Sequence, residues 1–313
     1  MDLKQIEYIL KIAEENNITH AAEKLFMTQS ALNQQLLKLE KELGTPLFYR
    51  SRTDWRPTPA GEVYLEAAQK ILLIKQDAYN QIYDMNKIQK GKISVGFTPS
   101  RGITMFTQIY PAFHAKHPNI TVEPLELSVN EQQPQLLSGQ LDIGFATLTD
   151  GQKKSGLKYQ TLASEELILA IPTDLVNVLG YDSLLSPVQD SSVFPVCDLS
   201  RLHEEPFVLM QKSSTVRALT DDIFKQAGFI PHLLFETTNN RAILSLIHAR
   251  ICCGILPMYY VDTTDKNVTY FTLPQHPVWE ITAVYRKDRY ITKAAKEFIA
   301  LAADYFNRDS TAS

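Results

Sequence analysis

No glycine or proline occurs between Glu62 and Lys90, a stretch that follows Thr58 and Pro59. Threonine is a good helix N-cap and proline is favoured at the first helical position, so the pattern predicts one long helix. At 1.5 Å per residue, a helix of roughly 30 residues spans about 45 Å and is too long to fold back into a small domain. The helix therefore separates a module of residues 1–58 from a larger domain of residues 91–308, with residues 59–90 as a linker.

The linker helix carries an apolar stripe. Its members follow three- and four-residue steps, the spacing of a helix that packs lengthwise against a partner. The residues predicted to form this dimerisation surface are Tyr64, Ala67, Ile71, Ile74, Ala78 and Ile82. The same spacing is compatible with packing against the helix's own domain, and the sequence leaves both interpretations open.

Two helices joined by a tight turn are predicted within the N-terminal module. The turn lies at Phe26 and Met27, and Thr28 caps the helix that follows. Such a geometry places the second helix in the major groove of DNA, where Asn and Gln can pair with adenine. From spacing alone, a solvated helix face is an equally good interpretation. The predicted DNA-contacting residues of this helix are Thr28, Gln29, Ser30, Asn33, Gln34 and Lys38.

Aromatic residues, turn formers and arginines are mixed between Thr45 and Thr58, a pattern that predicts a β-wing. Arg50, Arg52 and Arg56 are expected to reach the phosphate backbone or the minor groove, where they supply affinity without sequence discrimination. The net charge of −4 argues against a protein that coats nucleic acid over its whole surface. It is compatible with a small docking module.

Several short motifs of the N-terminal module occur in a characteristic order. They are Ala21-Ala22-Glu23-Lys24-Leu25, Thr28-Gln29-Ser30-Ala31-Leu32-Asn33, Leu39-Glu40, Leu43-Gly44, Leu47-Phe48, Arg50 and Thr58-Pro59-Ala60-Gly61. In order and spacing they resemble the winged helix-turn-helix signature of the LysR-type transcriptional regulators, and the resemblance covers the whole chain. One departure lies on the reading face, because Asn33 stands where the family usually has Ser. We therefore expect the base preferences at that position to differ.

The resemblance implies a DNA-binding transcription factor that needs no cofactor. Its implied partners are double-stranded DNA with a partly palindromic operator, a small-molecule effector, RNA polymerase, and further copies of the chain in a homodimer or homotetramer. The implied fold is α+β and multidomain. It comprises an N-terminal winged helix-turn-helix, a long linker helix, and a C-terminal bilobed α/β effector-binding domain like the periplasmic binding proteins.

Strand and helix patterns alternate after Lys90 and Gly91, which indicates α/β units with mainly parallel sheets. Given the resemblance, we expect a first lobe of residues 91–162 and 269–308 and a second lobe of residues 163–268. The connecting strands are expected near residues 146–163 and 268–273. The effector is expected in the cleft between the lobes.

Ligands in such folds lie beyond the carboxyl ends of strands, where helix N-termini favour anions. The segments Thr98–Arg101 and Ser213–Arg217 occupy such positions, and their two arginines predict a small anionic effector. Helix capping alone would also account for the hydroxyl groups. The predicted effector-binding residues are Thr98, Ser100, Arg101, Ser128, Thr147, Thr215, Arg217, Thr237 and Asn239.

Arg250 and Cys252 stand where family members often have a Gly-x-Gly before the strand that ends at Pro257. We therefore expect the backbone approach there to differ. Arg250 could line the cleft or lie on the surface, and the surface is the favoured position.

An enzyme is disfavoured, because the chain has no glycine-rich phosphate loop and no Gly-x-Ser-x-Gly or His-Glu-x-x-His motif. No metal site is expected. A solute-binding protein remains an alternative that fits the C-terminal domain alone. A redox-sensing regulator is another, and it would use Cys197, Cys252 or Cys253. Without a signal-peptide or membrane-span pattern, we expect a cytoplasmic protein.

Overall fold

The computed structural model describes residues 2–50, 55–88, 90–99, 101–186 and 193–309. The chain divides into two compact units, Met1–Ile88 and Gln89–Ser313. Two of the predicted site residues, Arg52 and Ser100, lie outside the described residues. Within the described ranges, no helix is long and apolar enough to cross a membrane.

Three helices and a two-stranded antiparallel wing form the N-terminal module. They are α1 (Leu3–Glu15), α2 (Ile18–Lys24), α3 (Gln29–Leu43), β1 (Phe48–Arg50) and β2 (Trp55–Pro57). The side chains of Asp2, Asn17 and Thr28 cap the three helices by accepting hydrogen bonds from first-turn N–H groups. Gly44 ends α3 at φ +71°, a left-handed conformation that glycine adopts without steric cost. The predicted winged helix-turn-helix is confirmed.

The apolar faces of the three helices meet in one core. Ile9 and Ile12 of α1 pack with Leu32 and Leu36 of α3, and all four are fully buried. Burying each such side chain contributes about 1.5–3 kcal/mol. Ala21 of α2 is also fully buried, and its small side chain lets the helices approach closely. The core therefore fixes the angle at which α3 presents its exposed face.

The long helix α4 (Pro59–Met85) begins at a fixed point beside the wing. The hydroxyl of Thr58 accepts the N–H of Gly61 at 3.0 Å and donates to the carbonyl of Pro46 at 2.7 Å. The sequence predicted a helix as far as residue 90, but α4 ends at Met85, after which Lys87 takes φ +56°. The helix is thus about 40 Å long at 1.5 Å per residue.

The C-terminal unit is built on a seven-stranded mixed sheet with the order β10-β6-β11-β5-β3-β4, in which β9 also pairs with β6. A separate parallel pair is formed by β7 and β8. The strands are β3 (Gly91–Phe97), β4 (Ile120–Glu126), β5 (Ile143–Leu148), β6 (Leu157–Pro172), β7 (Pro206–Met210), β8 (His232–Thr237), β9 (Gly254–Pro257), β10 (Val268–Phe271) and β11 (Val278–Arg286). The helices are α5 (Arg101–Lys116), α6 (Val129–Ser138), α7 (Thr173–Leu179), α8 (Tyr181–Leu184), α9 (Thr215–Ala227), α10 (Asn240–His248) and α11 (Lys293–Asp309).

Two lobes are evident from separate hydrophobic cores, and two strands run through both. On β6, Leu162 belongs to the core built around β3, α5 and α11, whereas Leu167 belongs to the core built around β7 and α9. On β11, Trp279 belongs to the second of these cores and Ile281 to the first. The bilobed α/β fold predicted from the resemblance is confirmed.

The second crossing lies later in the chain than the sequence predicted. The segment near residues 268–273 was expected to join the lobes, but Phe271 and Leu273 are buried in the second lobe's core. Strand β10 pairs there with the end of β6 that lies in the same lobe. The strand that crosses is β11, so residues 269–279 belong with the second lobe. Alternating apolar residues mark both strands, and only the core contacts distinguish them.

Candidate nucleic-acid interface and ligand cavity

The predicted reading residues share the outer face of α3. Thr28, Gln29, Ser30, Gln34 and Lys38 are exposed, and Asn33 is partly exposed among them. Thr28 is occupied as the helix cap, since its hydroxyl accepts the N–H of Ala31 at 3.2 Å. The side chains of Gln29, Asn33 and Gln34 make no hydrogen bond to any other part of the chain that the structure describes. Their amide groups are therefore available to an outside partner.

The wing arginines are placed differently from one another. Arg50 forms an ion pair with Glu40, a buried carboxylate that also accepts the N–H of Leu47 at 2.8 Å. The guanidinium carbon of Arg50 lies 5.8 Å from the ring centroid of Trp55. Arg50 therefore ties the wing to α3, in addition to any contact with phosphate. Arg56 is exposed on β2, while Arg52 lies outside the described residues.

The predicted dimerisation stripe divides into two parts. Tyr64 is buried in the core of its own module, and Ile71 packs against that core. This placement corrects the prediction for Tyr64, whose side chain is covered within the chain. By contrast, Ala67, Ile74, Ala78 and Ile82 are exposed, and 69% of the surface of Ile74 is accessible to solvent. Other large apolar side chains on or just beyond α4 are also exposed, namely Val63, Tyr79, Met85 and Ile88.

A cavity of about 510 Å³ lies between the two lobes of the C-terminal unit. Its size is within the usual range of small-ligand pockets, roughly 300–1,000 Å³. Four helices begin in its lining, α5 and α6 from the first lobe and α9 and α10 from the second. Each helix start presents unpaired N–H groups and the positive end of the helix dipole. The predicted residues that line the cavity are Thr98, Arg101, Ser128, Thr147 and Thr215.

Arg101 is already paired with a carboxylate. Its guanidinium forms an ion pair with Glu165 and lies over the ring of Tyr259, 4.4 Å from the centroid. Glu165 also accepts the N–H of Tyr259 and the indole N–H of Trp279, both at 2.9 Å. Sequence reasoning missed Glu165, since nothing in a strand pattern shows that a carboxylate will meet an arginine more than sixty positions earlier. The charge of Arg101 is therefore matched inside the protein.

Three of the predicted effector residues lie outside the cavity lining. Arg217 donates to Asp221 and Glu236, both at 2.7 Å, and to the carbonyl of Met210 at 3.1 Å. Arg217, predicted to contact the effector, is therefore held by two carboxylates outside the cavity lining. Thr237 and Asn239 form hydrogen bonds in the turn before α10. The hydroxyl of Thr237 accepts the N–H of Asn239, and the side chain of Asn239 caps the helix. Their neighbours Thr238 and Asn240 line the cavity instead, so the prediction was wrong by one residue.

Asn240 is the cavity's most distinctive polar group. It is 8% exposed, and its Oδ1 atom has no hydrogen-bond partner within the described residues. The same side chain hydrogen-bonds Tyr260, and burial raises the pKa of that phenol, which therefore stays protonated at neutral pH. A buried acceptor without a partner is costly, about 1–3 kcal/mol. A ligand that donates to Oδ1 would recover this free energy.

The remaining lining is mixed in character. Val129, Pro257 and Trp279 supply apolar surface, and Glu126 and Glu131 add two carboxylates. Glu131 accepts hydrogen bonds from the backbone N–H and the hydroxyl of Ser128, at 2.8 and 2.7 Å. With Arg101 balanced by Glu165, the lining has no surplus of positive side-chain charge. Any attraction for an anion therefore comes from the helix starts.

The three cysteines are all buried. Burial raises the pKa of Cys197 to about 12 and that of Cys252 to about 11, and it raises the pKa of Cys253 as well. A thiol must ionise before it reacts readily with oxidants. The structure therefore gives no support to the redox alternative.

Comparison with known proteins gives a consistent result over the whole chain. Residues 3–62 match the family model for bacterial regulatory helix-turn-helix proteins of the lysR family, and residues 87–307 match the LysR substrate binding domain. The uncharacterized HTH-type transcriptional regulator YcgK of Bacillus subtilis (strain 168) is 26% identical over 308 residues, which are 97% of this chain and 94% of the relative.

Two solved structures have the same fold over nearly the full length. A full-length OxyR variant from Pseudomonas aeruginosa is 21% identical, with a TM-score of 0.68 and 97% of each chain covered. Full-length CbnR in complex with its target DNA is 22% identical, with a TM-score of 0.56, and the match covers 99% of this chain and 100% of that one.

Proposed function

The chain belongs to the LysR family of DNA-binding transcription regulators, and from this premise we propose which residues bind DNA, the effector and a second copy of the chain. The N-terminal module binds DNA, and the C-terminal unit is an effector-binding domain rather than an enzyme. The module comprises residues 1–58, α4 acts as the linker, and the two lobes enclose the effector. We place the protein in the cytoplasm, where its DNA partner is found.

In our proposal, α3 lies in the major groove and reads bases through Gln29, Asn33 and Gln34. The observation that supports this is that three amide side chains on one helix face are at least partly exposed and make no hydrogen bond to the described residues. Thr28, Ser30 and Lys38 would contact phosphates at the groove edge, together with the wing residues Arg50, Arg52 and Arg56. The test is selection of binding sites from random duplexes, followed by gel-shift measurements against a scrambled duplex. Equal affinity for both would contradict base reading.

The effector is proposed to be a small carboxylate that also carries a hydroxyl or ammonium group. Four helix starts meet at the cavity and favour a negative group, whereas the carboxylates of Glu126 and Glu131 disfavour a second one. The unpartnered oxygen of Asn240 calls for a hydrogen-bond donor. The other contacts are assigned to Thr98, Arg101, Ser128, Thr147 and Thr215.

Isothermal titration of the full chain tests this assignment with hydroxy acids, amino acids and their neutral amides. The acids should bind, and Asn240→Ala should weaken the best of them at least tenfold. Asn119→Ala, an exposed asparagine in the same unit, serves as the matched control and should have no effect. Binding by the amides alone would contradict the charge, and an unaffected Asn240→Ala variant would contradict the donor.

The exposed half of α4 is proposed to pair with a second copy of the chain. Ile74, Ala78 and Ile82 share one face there and lack any cover from their own module. A homodimer would present two reading helices to a partly palindromic operator, and pairs of dimers would form a homotetramer. Ile74→Glu with Ile82→Glu should shift the sedimentation coefficient to that of a monomer. Gln76→Glu, on another face of α4, should leave the sedimentation coefficient unchanged.

RNA polymerase is proposed as a further partner, through which such a regulator would act on transcription.

A further inference from the structure

A second cavity, also of about 510 Å³, lies in the first lobe of the C-terminal unit. It is formed where the start of β6, the end of β11 and the beginning of α11 come together. It shares no lining residue with the effector cavity. We call it the basic cavity, after its four cationic lining residues Lys158, Lys287, Arg289 and Lys296.

Among the residues that the structure describes, no carboxylate lines the basic cavity. Lys158, Lys287 and Lys296 are exposed, and none makes a salt bridge within the part of the chain that the structure describes. The neighbouring carboxylate of Asp288 is held by Arg286 through two hydrogen bonds of 2.7 and 2.8 Å. Because the Debye length is about 8 Å at physiological salt, charges around one cavity act together on a ligand inside it. This concentration of positive charge is notable in a chain with a net charge of −4.

Aromatic side chains complete the basic cavity. Tyr285 and Tyr290 line it, with the ammonium groups of Lys158 and Lys296 at 5.8 and 5.9 Å from their respective ring centroids. Flat rings stack on tyrosine faces, and lysine and arginine bind phosphate oxygens strongly. The cavity thus combines two tyrosine rings with lysine ammonium groups that lie over them.

We propose that the basic cavity is a second ligand site, which binds a small organic anion with several negative charges and a planar ring. A nucleoside triphosphate is the class that combines both features. A single carboxylate would match only one of the three lysines, and an inorganic polyphosphate has no ring to stack on the tyrosines. The site is independent of the effector proposed for the cleft, since the two cavities have no residue in common.

Titration of the full chain with ATP at physiological salt tests the proposal. The wild-type chain should bind ATP, and tripolyphosphate should bind several-fold more weakly. Replacing three cations together, as Lys158→Gln, Lys287→Gln and Lys296→Gln, should weaken ATP binding at least tenfold. The matched control is Lys154→Gln, Lys225→Gln and Lys266→Gln, which removes the same charge from exposed positions outside the cavity and should change the affinity less than twofold.

Thermal melting shows whether each variant is folded. If the triple variant is unstable, the single variant Lys296→Gln replaces it and should weaken ATP binding about threefold. Absence of ATP binding by the wild-type chain would overturn the proposal. Equal weakening in the test and control variants would also overturn it, since binding would then reflect net charge alone. Loss of random-sequence DNA binding in the triple variant, without any ATP binding by the wild-type chain, would instead identify the surface as a phosphate contact for DNA.

Discussion

The hydroxyl of Thr215 donates a hydrogen bond of 2.9 Å to the backbone carbonyl of Thr147, and these two residues belong to opposite lobes of the effector-binding domain. The same hydroxyl lies 3.2 Å from the side-chain oxygen of Gln152, which accepts the N–H of Thr149. One side chain at the start of α9 thus connects the second lobe to two segments of the first. The lobes are joined here by a contact between two residues that line the cavity.

Thr215→Val should loosen this connection while keeping the shape of the side chain. A hydrogen bond of this kind contributes about 1 kcal/mol, so we expect the free energy of unfolding to fall by that amount. Hydrogen–deuterium exchange should increase in β5 and at the start of α9. Thr220→Val is the control, because its hydroxyl donates to Val216 within the same helix. If both variants exchange alike, Thr215 has no special role between the lobes.

Removing two of the three amides proposed to read bases should affect specific DNA binding only. Gln29→Ala and Asn33→Ala should each weaken operator binding by about 1–3 kcal/mol and leave affinity for random DNA unchanged. Lys38→Ala should weaken both and reduce the salt dependence by about one phosphate contact. Lys70→Ala, on the exposed side of α4, should change neither. Gel-shift titrations at several salt concentrations separate these outcomes, and identical behaviour of all four variants would refute the assigned roles.

Glu165→Gln should remove the negative charge that Glu165 places beside the guanidinium of Arg101. The side chains of Arg101 and Glu165 are 14% and 7% exposed, so loss of this charge should destabilise the domain by about 3 kcal/mol in urea unfolding. Adding Arg101→Met removes the guanidinium charge as well, and the double variant should recover part of the loss. Additive losses in the double-mutant cycle would show that the two side chains act independently.

Thiol-specific reagents should find the native protein unreactive. Burial raises the pKa of Cys252 to about 11, so at pH 8 roughly one thiol in a thousand is ionised there. The pKa of Cys197, at about 12, lies higher still. We expect all three thiols to be titrated by a chromogenic disulfide in urea and none within minutes in buffer. A thiol that reacts rapidly in buffer would restore the redox alternative.

Arg250→Gly should stabilise the protein. Arg250 has φ +65°, a left-handed conformation that costs residues with a Cβ about 1–2 kcal/mol. Its ion pair with Asp174 is more than half exposed and contributes little. We expect the free energy of unfolding to rise by about 0.5–1 kcal/mol. Arg250→Ala loses the ion pair but keeps the Cβ, so it should give no gain, and an equal gain in both variants would rule out backbone strain as the cause.

Local chemistry explains which features could be predicted from the sequence. Helix caps, glycines and apolar spacing were enough to predict the winged module. The long helix was also predicted, and only the position of its C-terminal end was wrong. Because Arg250 stands where the family often has Gly, we expected a different backbone conformation there. The backbone of Arg250 is nevertheless left-handed, as is usual for glycine. Helix starts that follow strands identified five of the cavity residues. The prediction of Asn239 instead of Asn240 shows the limit, because a helix cap and the first residue of its helix point in different directions.

Partners distant in sequence could not be predicted. Both arginines expected to bind an anion have internal carboxylates, Glu165 for Arg101 and Glu236 with Asp221 for Arg217. Their pairing depends on how strands and helices pack, which apolar periodicity does not specify. The crossing strand was misplaced for the same reason. Val268–Phe271 and Val278–Arg286 are both strands rich in apolar residues, and the cores against which they pack show which of them crosses.

The two crossing strands also determine how the lobes can move. Strands β6 and β11 pair along nearly their full common length, with one register shift at Ile281 and Thr282, where Leu162 is the extra residue on β6. A hydrogen-bonded ribbon resists stretching and bends far less easily than two flexible linkers would. Relative motion of the lobes is therefore confined to a small twist, with its natural pivot at the irregularity beside Leu162. A ligand in the cavity is therefore expected to change the angle between the lobes more readily than the distance between them.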